Sequence, residues 1–202
     1  DIVSPAFCVT PCIDDYTNGV IQVNRSEDNH SSGALSSTYA HEGYPGHLYQ
    51  MTYYLSTDPY PIRNCLNFLG YDEGWAVYVE MRSYNLIEYT NYNSKYVREM
   101  YICNELMNMA FCCLADIYVN YYGYTENQLA DFMNENGFNG DMAGDLYPMM
   151  VEEPGYYPQY FVGYLEFVEL RDYATEKLGK NFDEVAYHKV ILDAGPCSFD
   201  TL

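Results

Sequence analysis

Apolar residues in this chain recur at three- and four-residue intervals almost throughout, and alternate with polar ones only near the start. The longest run goes from about Asn93 to Tyr122, where Val97, Met100, Tyr101, Leu106, Met107, Ala110, Phe111, Leu114, Ile117 and Tyr118 fall on helical spacing. It predicts a core helix that is apolar over much of its circumference. Thr125 caps a short helix ending before Gly137, and another runs from about Asp141 to Glu153, where Pro154-Gly155 stops it. Two more cover about Gln159–Leu178, with Gly179 as stop signal, and about Asp183–Asp193. The first 30 residues are extended instead: Ser4-Pro5 and Thr10-Pro11 disfavour helix, and Gly19–Asn24 alternates as a short strand. That strand either lines a cleft or is an ordinary edge strand. The expected fold class is mainly α, with a small β hairpin or sheet near the N-terminus, as a single domain over residues 1–202.

One helix in this series is interrupted. It begins near Ser36, Ser37 or Thr38, or slightly earlier over Ala34 and Leu35, and resumes through His47, Gln50 and Tyr54 to stop near Asp58-Pro59. Between its halves stands His41-Glu42-Gly43-Tyr44-Pro45-Gly46-His47. Zinc hydrolases commonly carry two histidines four apart on one helical face, with a Glu between them as general base. Here the second histidine comes six residues after the first. On a continuous helix six residues turn through roughly 600° and rise about 9 Å, so the imidazoles would miss a common metal. Pro45 cannot donate to the His41 carbonyl and its ring clashes there, while Gly46 accepts unusual backbone angles. The spacing therefore predicts a break over Gly43–Gly46 that swings His47 back beside His41.

A third ligand is expected from a following helix, and Tyr71–Glu80, reading YDEGWAVYVE, supplies the candidate Glu73. Taken alone, Glu73 is equally a first-turn acid favoured by the helix dipole. Asp72 is adjacent and points elsewhere. Glu80 lies seven residues on, on roughly the same face, either orienting a ligand histidine or solvated at the surface. His30, in the polar stretch 25–33, reads as an exposed loop residue.

Composition narrows the function classes. A net charge of −20 argues against nucleic acid and anionic membrane surfaces as partners. No uninterrupted run of about 20 apolar residues suggests a membrane-spanning segment. The seven cysteines are irregularly spaced, with no C-x-x-C pair, and read as free buried thiols that lean towards a reducing compartment.

The order of motifs carries a resemblance. His41–Gln50 (HEGYPGHLYQ), Glu73–Glu80 (EGWAVYVE) and Pro154–Arg171, with Tyr160 and Gly163, resemble a bacterial zincin-like family known as domain of unknown function 885. The opening PAFCVTPCIDDY and the closing AYHKVILDAGP are similar too. Family members are longer, so the chain resembles their C-terminal part, and an N-terminal portion is expected to pack on the cleft. The resemblance implies a zinc-dependent hydrolase, most simply a metallopeptidase. His41, His47 and Glu73 hold Zn2+, Glu42 is the general base, and peptide or small amide compounds are the substrates. It places Tyr160 and His188 near the active site, where either can donate to an oxyanion or serve structure. Arg171 either binds a substrate carboxylate or forms a salt bridge. Asn120 stands where many relatives carry a histidine. The alternatives are a metal-binding but inactive domain and a structural fragment. The resemblance allows an exported bacterial protein, whereas the cysteines lean towards the cytoplasm.

Overall fold

The computed structural model describes residues 5–24, 32–87 and 94–202. His30 and most of the polar stretch around it lie outside these. Strands β1 (Ala6–Val9) and β2 (Val20–Val23) pair antiparallel, with Ala6 opposite Val23. Helices follow: α1 (Ser32–Glu42), α2 (His47–Ser56), α3 (Leu69–Ser83), α4 (Ser94–Asn120), α5 (Glu126–Glu135), α6 (Ala143–Glu152), α7 (Tyr156–Leu178) and α8 (Glu184–Ala194). The mainly helical fold with a small N-terminal sheet is the one the periodicity predicts. Two starts differ. Helix α1 begins four residues before Ser36. Helix α7 begins three before Gln159, because Pro158 sits in its first turn, where a missing N–H costs nothing.

Helix α3 is the centre. Its outer flank packs Tyr71, Trp75, Tyr78 and Val79 against Phe167 of α7 and Ile191 and Leu192 of α8. Helices α3 and α7 approach until Gly74 and Gly163 face each other across bare backbone. A Cβ on Gly163 would stand 2.2 Å from the Gly70 carbonyl oxygen. This contact brings the first turns of α7, with Tyr156 and Tyr160, alongside the Glu73–Glu80 face of α3.

A second core joins Phe111, Ala115 and Val119 of α4 to Leu129, Met133, Ala143 and Met150. Asp116, buried in α4, accepts from Asn120 Nδ2 (2.8 Å) and the Gly155 amide (3.0 Å), and Asn120 Nδ2 also donates to the Met150 carbonyl (2.9 Å). Asp116 and Asn120 thus clamp α4 to the turn that launches α7. Asp116→Ala would remove the acceptor that joins Asn120 to the Gly155 amide, leaving Asn120 only the Met150 carbonyl, and is expected to cost about 1–3 kcal/mol, read as a lowered denaturant midpoint.

Helix α4 is apolar over much of its circumference, as expected, but is only partly a core helix. Tyr96, Met100, Met107 and Leu114 are exposed, while Phe111, Ala115 and Val119 are buried. An 18-residue window within its Lys95–Asn120 stretch has a mean hydropathy of 1.3, and the helix is, by length and composition, apolar enough to cross a membrane. A search for uninterrupted apolar residues misses it because charges interrupt the run. In this fold the helix packs on α6 and α7. All seven cysteines are free, as expected, but Cys12, Cys65 and Cys103 are exposed rather than buried.

Candidate metal centre

The helix break falls at Gly43–Gly46, between the end of α1 and the start of α2. Gly46 lets the chain fold back on itself, since a Cβ there would lie 1.8 Å from the His41 carbonyl oxygen and 2.4 Å from that of Ala40. Two further contacts fix the break. The Tyr49 amide donates to the Gly43 carbonyl (3.2 Å), and Trp75 Nε1 donates to the Pro45 carbonyl (3.0 Å), anchoring the turn on α3.

The fold-back brings the two imidazoles together, ring centroids 4.8 Å apart and edge-on at 82°. Both aim Nε2 at one carboxylate oxygen: Glu73 Oε2 lies 3.2 Å from His47 Nε2 and 3.5 Å from His41 Nε2. One ligand atom from each of these residues can be chosen so that all lie within 4.8 Å of one another. On the far side of its ring, His41 Nδ1 donates to Glu80 Oε2 at 3.0 Å. Metal-ligating histidines typically give their second N–H to a carboxylate in this way, which fixes ring and tautomer. Two nitrogen donors, one of them on an imidazole oriented by a carboxylate, and a carboxylate ligand suit zinc. His47 Nδ1 is buried without a hydrogen-bond partner among the described residues.

The electrostatics follow from this crowding. Burial opposes a charge on His41, but hydrogen bonds to Glu73 and Glu80 outweigh it and raise its pKa to about 10. Burial likewise opposes charge on Glu73, yet the two imidazoles hold its carboxyl down at about 2. The cluster is thus a protonated imidazole held between two carboxylates, and a metal ion binding there would have to displace that proton.

Glu42, beside His41 at the end of α1, lines the same 220 Å³ cavity as the triad. The Cys8 amide of β1 donates to its Oε2 at 2.7 Å, leaving the other oxygen for chemistry. The sheet thus meets the site through β1, not through the predicted strand β2. Burial, and then the Glu42 carboxylate, push the Cys8 thiol up to about 11, so beside Glu42 it stands as a neutral thiol.

Tyr160 stacks on His41, ring centroids 6.3 Å apart and nearly parallel, and its hydroxyl hydrogen-bonds with that of Tyr156 and with the Glu73 carboxylate. Burial above all, then Glu73, holds its phenol protonated far above the ordinary range. It is therefore a standing hydrogen-bond donor.

The structure does not bring His188 to this cluster. Its ring lies against Trp75 and Tyr78, on another flank of α3, with Nε2 3.0 Å from the Tyr78 hydroxyl, and it lines a separate cavity. Arg171 forms a bidentate pair with Glu184 (2.9 and 3.0 Å), so its role is the salt bridge. Asn120 belongs to the α4–α7 clamp rather than the triad. Asp72, expected to point elsewhere, lines the triad cavity, and burial raises its pKa to about 6. Tyr156 and the Cys8 amide had no sequence signal: one is among 25 tyrosines, the other is backbone.

A family model described as "Bacterial protein of unknown function (DUF885)" matches residues 3–202. Among solved structures, a "putative lipoprotein" from Colwellia psychrerythraea superposes with a TM-score of 0.81 at 26% identity, over 99% of this chain and 34% of that one. A "putative lipoprotein of unknown function" from Shewanella oneidensis gives 0.71 at 22% identity, over 96% and 37%, a likeness of fold alone. The chain thus spans about a third of the length of these proteins. No curated protein matches it.

Proposed function

The chain belongs to the bacterial DUF885 family, and we propose that it is the zinc-dependent catalytic part of an amide hydrolase with a zincin-like site, most simply a metallopeptidase. The observation that carries this reading is the convergence of His41 Nε2, His47 Nε2 and a Glu73 oxygen beside the carboxylate of Glu42. His41, His47 and Glu73 are the side chains that would hold zinc, which supplies Lewis acidity to polarise the scissile carbonyl and makes water a nucleophile near pH 7.

The chain's own groups do the rest. Glu42, held by the Cys8 amide, takes the proton of the attacking water and passes it to the leaving nitrogen. Tyr160, kept protonated by burial, donates its hydroxyl to the oxyanion that develops at the carbonyl. Glu80 keeps the His41 ring in register with Nε2 free for the metal. An exported setting in the bacterial envelope is supported by the description of the Colwellia structure.

The test is hydrolysis of a broad peptide library by the zinc-loaded chain. Cleavage abolished by chelator and restored by zinc is expected. Stoichiometric zinc with no cleavage of any peptide or simple amide would overturn the enzyme reading. A second expectation concerns Glu80. Glu80→Gln removes the charge that orients His41 but keeps an acceptor, so zinc affinity should fall about 10–100-fold in a chelator competition, with the fold intact.

A further inference from the structure

We infer that the cavity on the α4 side of the metal centre receives a lysine- or arginine-like side chain of the substrate, with Glu105 as the residue that selects it; this deepens the hydrolase reading and rests on it.

The cavity has a volume of about 340 Å³, within the roughly 300–1,000 Å³ of small-molecule sites, and shares His41, Glu42 and Tyr160 with the triad cavity. A side chain next to a carbonyl held at the triad therefore has this space to enter. Its walls are apolar and aromatic: Val77, Met109, Tyr156, Tyr157 and Tyr160. Such walls suit the methylene stem of a long cationic side chain, and tyrosine faces also favour its charged head.

The lining carries three carboxylates, Glu42, Glu80 and Glu105, and no lysine or arginine. Two of them are committed: Glu42 to the Cys8 amide and the proton transfer, Glu80 to His41. Glu105, on α4 across the cavity, makes no ion pair among the described residues. Burial, then Glu80, raises its pKa, so a cation entering the cavity relieves both. An acidic side chain would meet three carboxylates there. An apolar one would gain nothing from Glu105, which keeps its hydrogen bond with Asn104. The cavity thus discriminates for positive charge by chemistry rather than size.

The experiment compares two chelating probes on the zinc-loaded chain by calorimetry: Nα-acetyl-lysine hydroxamate and Nα-acetyl-norleucine hydroxamate. They differ in the terminal ammonium, and acetylation removes the α-amine as a second cation. The lysine probe is expected to bind at least about tenfold tighter, the worth of one hydrogen-bonded charge pair. Glu105→Gln should erase that preference while leaving norleucine affinity within about twofold and zinc content unchanged. Equal binding of the two probes, or a preference that survives Glu105→Gln, would overturn the inference and leave the metal centre standing. Failure of both probes to bind the zinc-loaded chain would sink the hydrolase reading, and this inference with it, while zinc content reports on the metal centre separately. Should the variant not fold, the two probes on the unaltered chain still decide.

Discussion

Glu42→Gln should retain its zinc and its fold and lose about a thousandfold in kcat, within the range that general acid–base groups contribute. The substitution is close to isosteric. Its amide oxygen can still accept from the Cys8 amide, so β1 keeps its hold on the end of α1. The three proposed ligands do not include Glu42, so metal content is expected to stay near that of the parent chain. What disappears is the group that takes a proton from water and returns it to the leaving nitrogen. The check is kcat on a cleaved peptide together with zinc per chain from elemental analysis. Full turnover with zinc still bound would remove Glu42 from the mechanism.

Gly46→Ala should damage both stability and metal affinity. The added Cβ would sit 1.8 Å from the His41 carbonyl and 2.4 Å from the Ala40 carbonyl, and both obstacles are backbone. Neither can rotate away as a side-chain tip would, so the turn itself must open. Overpacking of this kind costs about 3 kcal/mol or more. The displaced residue is His47, the next in the chain. A movement of about 1 Å there is enough to cost about 100-fold in a geometry-dependent site. Thermal unfolding and chelator competition read the two effects separately. A lowered melting temperature with unchanged zinc affinity would show that the turn does not set the position of His47.

The cluster of His41, His47 and Glu73, with Glu42 beside it, was legible because a few short segments carry it. His41, Glu42, Pro45, Gly46 and His47 lie in one turn, and Pro45 with Gly46 states locally that the helix cannot continue. Glu73 and Glu80 follow from helical spacing on one element. What was not legible depends on how elements pack. The Cys8 amide reaches Glu42 across 34 positions, and Glu105 faces the site only because α4 crosses it. His188 shows the same limit from the other side. Its motif is plain in the sequence, but α8 packs on the Trp75–Tyr78 flank of α3, so its ring turns to Tyr78 instead of the triad. Helix α4 shows it for the core. Apolar residues surround it, and its periodicity cannot tell which face α6 and α7 will cover. Asn120, which stands where many relatives carry a histidine, proves to be part of a clamp, because its partner Asp116 is one helical turn back.

The most direct measurement is the zinc content of the folded chain, by elemental analysis after zinc loading and removal of excess. About one zinc per chain, lost in His47→Ala and kept in Glu42→Gln, is the expected result. A folded chain that takes up no zinc would contradict the metal centre, and with it the hydrolase built upon it.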